Sequence, residues 1–206
     1  MKKTPIDLRR EIAPEKVIGG KAFSTQTLVK LGIPCPASMV IPVSCFYEYA
    51  QGRDGTAVIH QQLRSFFSEF PEGQQFILRS SGLGEDSARF SFAGQFDSIV
   101  TGPDEKAFRR NLKKCWDSFW SARNEEYQIQ SRVLLPGMGV LVQPYYEALY
   151  SGVFFTRDPL GKKKAMVVEY HAGAGEALVQ GAVIPKRLWI KVENGRGFSF
   201  SPKTTL

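Results

Sequence analysis

The order of apolar and polar residues separates a helix-rich first part of the chain from a strand-rich second part. In KVIGGKAFSTQTLVKLG (16–32), two glycines precede a run in which Phe23, Thr27, Leu28 and Leu31 recur at helical spacing, with Gly32 as a stop. This predicts a helix that buries those four positions. Pro34 and Pro36 then enforce a loop, SMVIP (38–42) reads as a short buried strand, and Ser44 is placed to cap a brief helix through CFYEYA. From Val58, the set Ile59, Leu63, Phe66, Phe67 and Phe70 again has helical spacing, ended by Pro71 and Gly73. FILRSS (76–81) and FDSIV (96–100) read as two strands of one sheet. The longest helix is expected after Asp104, an N-cap, with Phe108, Leu112, Cys115, Trp116 and Phe119 as its apolar stripe.

The character changes at LLPGMG (134–139). Strand-like runs follow closely: VLVQP (140–144), SGVFFT (151–156), AMVVEY (165–170) and KRLWIKV (186–192). The expected fold class is α+β, in two lobes spanning 1–136 and 137–206. There is no internal repeat and no low-complexity segment.

With 206 residues, 43% of them hydrophobic, the chain can bury a sizeable core. Its net charge of +7 favours an anionic partner without choosing among nucleotide phosphates, nucleic acid and an acidic protein surface. Cys35, Cys45 and Cys115 show no metal-like spacing, so neither a disulfide nor a structural zinc is expected. Charge and proline interrupt the basic N-terminal stretch before any apolar run of signal-peptide length, and no later run approaches a membrane span. The expectation is a soluble, cytoplasmic protein.

Four segments carry candidate chemistry. Gly19-Gly20-Lys21 at a helix start lets backbone approach a ligand closely and adds a point charge, which suits a phosphate; a tight turn with an exposed lysine fits the same tripeptide. Arg79, at the end of a buried strand, requires an anion or a carboxylate, and Glu85 or Asp86 could supply the latter. SFAGQ (91–95) offers a small loop with hydroxyl and amide groups, suited to covering phosphates and equally to a plain turn. In VVEYHAGAGEALVQG (167–181), Glu169, Glu176 and Gln180 are hard oxygen donors of the kind Mg²⁺ takes, while Glu176 also suits the first turn of a helix. Arg157-Asp158 reads by itself as a surface turn.

In this order, GGKAFSTQTLVKLGIPCPASMVIP, LRSSGLGEDSARFSFAGQ, VLVQPYYEALYSGVFFTRDP and VVEYHAGAGEALVQGAVIP resemble the N-terminal nucleotide-binding domain of the pyruvate phosphate dikinase, phosphoenolpyruvate synthase and rifampin phosphotransferase family, over about residues 17–192. The resemblance implies an ATP-grasp fold with its nucleotide cleft between two lobes. It implies that Gly20 and Lys21 meet the ATP phosphates, that Arg79 grips the terminal ones, and that a loop with Ser91, Gly94 and Gln95 closes over them. Gln143, Pro144 and Tyr145 would hold adenine. Thr156 and Arg157 would face the phosphates from the second lobe, and Glu169 and Gln180 would stand near Mg²⁺. Lys21, Arg79 and Arg157 are the implied catalytic cations. The implied reaction cleaves ATP to AMP and orthophosphate, with the β-phosphate passing to a histidine on a separate domain or protein, and from there to a pyruvate-like or other small acceptor.

The chain also departs from the family pattern. A lysine, Lys186, follows Pro185 where an aspartate is usual, and the late acidic Asp-Ile-Glu-Trp type of strand does not occur. Two further readings therefore stand beside the first: a non-catalytic nucleotide-binding regulatory module or an incomplete fragment of a phosphoenolpyruvate synthase-like enzyme, and a basic nucleic-acid binder resting on charge and the Arg109 to Lys114 helix. Nucleic acid is the least expected partner, because it leaves the four blocks to accident.

Overall fold

The computed structural model describes residues 3–84, 98–121, 136–159, 161, 165–179, 181–193 and 197–203. It is an α+β chain that divides into two compact units, Met1–Tyr145 and Tyr146–Leu206.

The first unit is built on a five-stranded antiparallel sheet in the order β1-β2-β5-β3-β4, from β1 (Ile6–Asp7), β2 (Met39–Ile41), β3 (Phe76–Gly82), β4 (Ser98–Thr101) and β5 (Met138–Pro144). Side chains alternate across a pleated sheet and directly paired residues share a face. One face therefore carries Phe76, Leu78, Met138, Val140, Val142 and Ile41. Against it pack α3 (Val43–Ala50), α4 (Thr56–Phe67) and α5 (Glu105–Asp117), with Phe66, Leu63, Phe108, Leu112 and Trp116 fully buried. The opposite face carries Val40 and Leu141, covered by Ile18 of α1 (Glu15–Ile18) and Ala22 of α2 (Gly20–Lys30).

Local rules explain much of this unit. Asp104 caps α5 by accepting from the Ala107 N–H at 2.8 Å, and the stripe expected of that helix is the buried one. Gly32, at φ 71°, follows the end of α2. Three expectations change. The α2 face bearing Phe23, Leu28 and Leu31 points outward, and the helix instead buries Gly20, Ala22 and Gln26. Gln26 is held there because its amide accepts from the Ala13 N–H at 2.8 Å and donates to the Ala13 carbonyl at 3.0 Å. Helix α3 starts at Val43 after Pro42, with no side-chain cap from Ser44. The division of the chain falls after Tyr145 rather than near 136, because β5 is hydrogen-bonded to both β2 and β3 in the centre of the first sheet.

The second unit is a four-stranded antiparallel meander: β6 (Tyr150–Phe155), β7 (Met166–Ala172), β8 (Lys186–Glu193) and β9 (Gly197–Lys203), with the short helix α6 (Glu176–Val179) between β7 and β8. Its buried cluster is Ala165, Val167 and Trp189, with Phe155 against it. The edge strand β9 adds a member that the sequence pattern does not signal. Cys35, Cys45 and Cys115 are free thiols. No helix among the described residues is long and apolar enough to cross a membrane.

Candidate functional site

The turn between α1 and α2 lies directly on the end of β3. Gly19 has φ 80° and ψ 166°, and a Cβ built on it would fall 1.9 Å from the Ser81 carbonyl oxygen. A Cβ on Gly139 of β5 would fall 2.7 Å from the Ile18 carbonyl oxygen. Gly19 is therefore required by close approach as well as by backbone conformation. The Ala22 N–H, in the first turn of α2, donates to Ser81 Oγ at 2.9 Å, and Lys21 Nζ donates to the Ser80 carbonyl at 2.7 Å.

This docking brings Lys21 of α2 to the Ser80 carbonyl, next to Arg79 on β3. Arg79 shares its sheet face with Ile77, Ser81, Leu141 and Gln143, the side on which α2 packs. Toward β3 and β4 that face is only partly covered: Ile77, Arg79 and Ser98 are half-buried, and Val100 is 37% exposed. Arg79 Nη1 donates to Gln143 Oε1 at 3.4 Å, and Gln143 Nε2 donates to Ser38 Oγ at 2.9 Å. The carboxylates weighed as its partners, Glu85 and Asp86, lie outside the described residues, as do Ser91, Gly94 and Gln95.

Gln143, Pro144 and Tyr145 end the first unit. Pro144 has no N–H, the Tyr145 N–H donates to the Gln75 carbonyl at 2.8 Å, and the Tyr145 carbonyl accepts from Gln74 Nε2 at 2.7 Å. The backbone groups of Tyr145 are thus already engaged within the unit.

In the second unit, Thr156 and Arg157 directly follow β6 and are exposed, whereas Asp158 beside them is 7% exposed. The turn reading of Arg157-Asp158 holds for the first residue only. Buried acids of this kind usually carry structural or chemical work, and nothing in the TRDP stretch distinguishes Asp158 from a surface acid. Glu169 lies opposite Arg187 across β7 and β8, and the two form an ion pair. Arg187 Nε also donates to Glu169 Oε1 at 2.8 Å, and its guanidinium lies 5.9 Å from the Trp189 ring centre. Both contacts from Arg187 to the carboxylate expected near Mg²⁺ fall on its Oε1. Gln180 lies outside the described residues, and no group of three or more histidine, cysteine or acidic side chains is placed to hold a metal among the described residues.

The perturbed titrating groups sit on the other side of the first sheet. The Asp54 carboxyl is held well below its ordinary value by a hydrogen bond from Lys113, then by Thr56. Burial, then Asp117, pushes the Tyr49 hydroxyl up to about 12, and burial, then Glu48, pushes the Cys45 thiol up to about 11. Arg109 and Lys113 of α5, on which a nucleic-acid surface was weighed, pair with Asp54 and Glu105.

Residues 56–200 match the family model of the pyruvate phosphate dikinase AMP/ATP-binding domain, and the chain belongs to that family. It is 30% identical over 190 residues to the prodigiosin synthesizing transferase PigC of Serratia marcescens, covering 81% of this chain and 21% of that protein. A probable phosphoenolpyruvate synthase of Archaeoglobus fulgidus is 27% identical over 210 residues, covering 82% and 28%. A rifampicin phosphotransferase of Bacillus subtilis is 36% identical over 126 residues, covering 57% and 14%. The chain thus spans between 14% and 28% of the length of these relatives.

Proposed function

We propose that the chain binds ATP as the nucleotide-holding module of a dikinase-type phosphotransferase with an ATP-grasp fold. The observation that carries this reading is that Lys21, from α2, donates to the carbonyl of Ser80, the residue after Arg79 on β3, beside a partly covered sheet face. Two cations so placed suit the charge of a triphosphate better than a surface role does, because nearby backbone and packing already hold both of them in position.

In this reading, Arg79 grips the terminal phosphates, and Lys21 leaves the Ser80 carbonyl to meet them. Arg157 supplies further positive charge. The β-phosphoryl group passes to a histidine on another domain or protein and the γ-phosphoryl group to water, leaving AMP and orthophosphate, and the small acceptor takes the phosphoryl group from the histidine. The protein's part is positioning and charge stabilisation rather than covalent chemistry. Mg²⁺ belongs to this reading as a companion of the phosphates. No described residue is assigned to it, because Glu169 is held by Arg187.

That same ion pair favours a second reading, a nucleotide-binding regulatory module without turnover. Phosphorus NMR of ATP incubated with the chain together with a histidine-bearing acceptor domain of the dikinase type separates the two. AMP and orthophosphate that disappear in Arg79→Ala support the dikinase reading, ATP that is bound but unchanged supports the second, and ADP as product overturns the first.

A further inference from the structure

Gln143 and Ser38 are buried polar residues, 5% and 1% exposed, that the nucleotide reading leaves without a convincing task. We propose that they are positioning residues for Arg79, a proposal that rests on the reading of Arg79 as the phosphate-gripping residue.

The order of donors and acceptors carries the inference. The Pro36 carbonyl can only accept, and Ser38 Oγ lies 2.7 Å from it, so the single hydroxyl proton is used there. Ser38 Oγ is left to accept from Gln143 at 2.9 Å, and only the nitrogen end of the amide can donate. The oxygen end must then face Arg79 Nη1, which can only donate, at 3.4 Å. One carbonyl of a loop stiffened by Pro34 and Pro36 thus sets the amide's orientation, and the amide sets the guanidinium's. The start of the relay is itself held, because the Ser38 carbonyl accepts from the Leu8 N–H at 3.0 Å.

Two consequences follow. Each end of the Gln143 amide carries one bond of the relay, so its orientation is set toward Arg79. A neutral amide at Gln143 steadies the guanidinium without bringing the negative charge that a carboxylate at that position would add.

The test is calorimetric titration of ATP, tripolyphosphate and adenosine into the full chain and into Arg79→Ala, Ser38→Ala, Ser38→Thr and Gln143→Glu, with the melting midpoint of each. Ser38→Ala is expected to weaken ATP and tripolyphosphate about five- to tenfold, the loss of one ordinary hydrogen bond, and to leave adenosine unchanged. Ser38→Thr, which keeps the hydroxyl, restores binding. Gln143→Glu weakens both phosphates more strongly. Weakening of adenosine by the same factor as ATP would overturn the proposal in favour of base recognition, and unchanged tripolyphosphate binding in Ser38→Ala and Gln143→Glu would overturn it outright. A wild type that binds ATP no better than Arg79→Ala removes the underlying nucleotide reading, and the relay's role with it. Should Ser38→Ala not fold, Gln143→Glu alone decides between the outcomes.

Discussion

Replacing Gly19 by alanine separates a conformational cost from a cost of close approach. At φ 80° and ψ 166° the backbone of Gly19 occupies a region that side chains avoid, at about 1–3 kcal/mol. The new Cβ would also lie 1.9 Å from the Ser81 carbonyl oxygen and 2.5 Å from both the Ser81 carbonyl carbon and Oγ. No rotamer relieves a contact with backbone, so α2 must move off β3, at roughly a further 1–3 kcal/mol by analogy with overpacked cores. Gly52, in the same unit, is the control: it has the same φ of 80°, and a methyl group placed on it would meet nothing within 4 Å. Its alanine variant should lose only about 1–2 kcal/mol. The gap between the variants, about 2–3 kcal/mol, corresponds to roughly 5–10 °C in melting midpoint for a chain of this length. Calorimetric scans of wild type, Gly19→Ala and Gly52→Ala measure it. Equal losses in the two variants would refute the claim that the α1–α2 turn is pressed onto β3. Because α2 carries Lys21, Gly19→Ala should also weaken ATP binding, and Gly52→Ala should not.

Acid should act partly through Asp54, whose Oδ2 accepts from Lys113 at 2.6 Å and whose Oδ1 accepts from the Thr56 N–H at 3.0 Å. Its folded-state value lies below the ordinary 3.8, so its contribution is complete above that value and is lost as pH falls from there toward the folded-state value. Urea midpoints of Asp54→Asn should therefore fall less steeply between about pH 5 and pH 2 than those of the wild type; parallel curves would count against the Asp54–Lys113 contact. Burial predicts that Cys45 and Cys115 resist alkylation in the native chain at about pH 8 while Cys35, half-buried, reacts first, as peptide mapping would show. Because Arg187 holds Glu169, Glu169→Gln should leave the effect of Mg²⁺ on ATP affinity unchanged and lower stability by about 1–3 kcal/mol. A selective loss of metal dependence in that variant would make Glu169 a ligand after all.

What could be read from the chain order depended on how local its cause was. The stripe of α5 and its Asp104 cap need only neighbours within a turn, and both appear as the spacing predicts. Helix α2 presents the opposite case, since its buried face is chosen by how closely Gly19 and Ala22 approach β3 and by the bonds of Gln26 to Ala13, and apolar period carries neither signal. The placement of β5 between β2 and β3 depends on pairings that skip along the chain, which a strand's own composition does not encode. Strand β9 escapes notice because FSFSPK contains a proline, tolerated on the edge strand it forms. At the site, Arg79 draws attention because a cation within an apolar strand needs a reason, although the strand runs on past it to Gly82. The Ser38–Gln143 contact is not, because its members are 105 residues apart and neither is unusual where it stands.

The most direct test of the nucleotide site is calorimetric titration of ATP into the wild type and Arg79→Ala at two salt concentrations. Saturable binding by the wild type that Arg79→Ala abolishes, and that weakens with salt, is the predicted result. Equal heats for both proteins, or none for the wild type, would contradict the assignment of Lys21 and Arg79 to an ATP triphosphate.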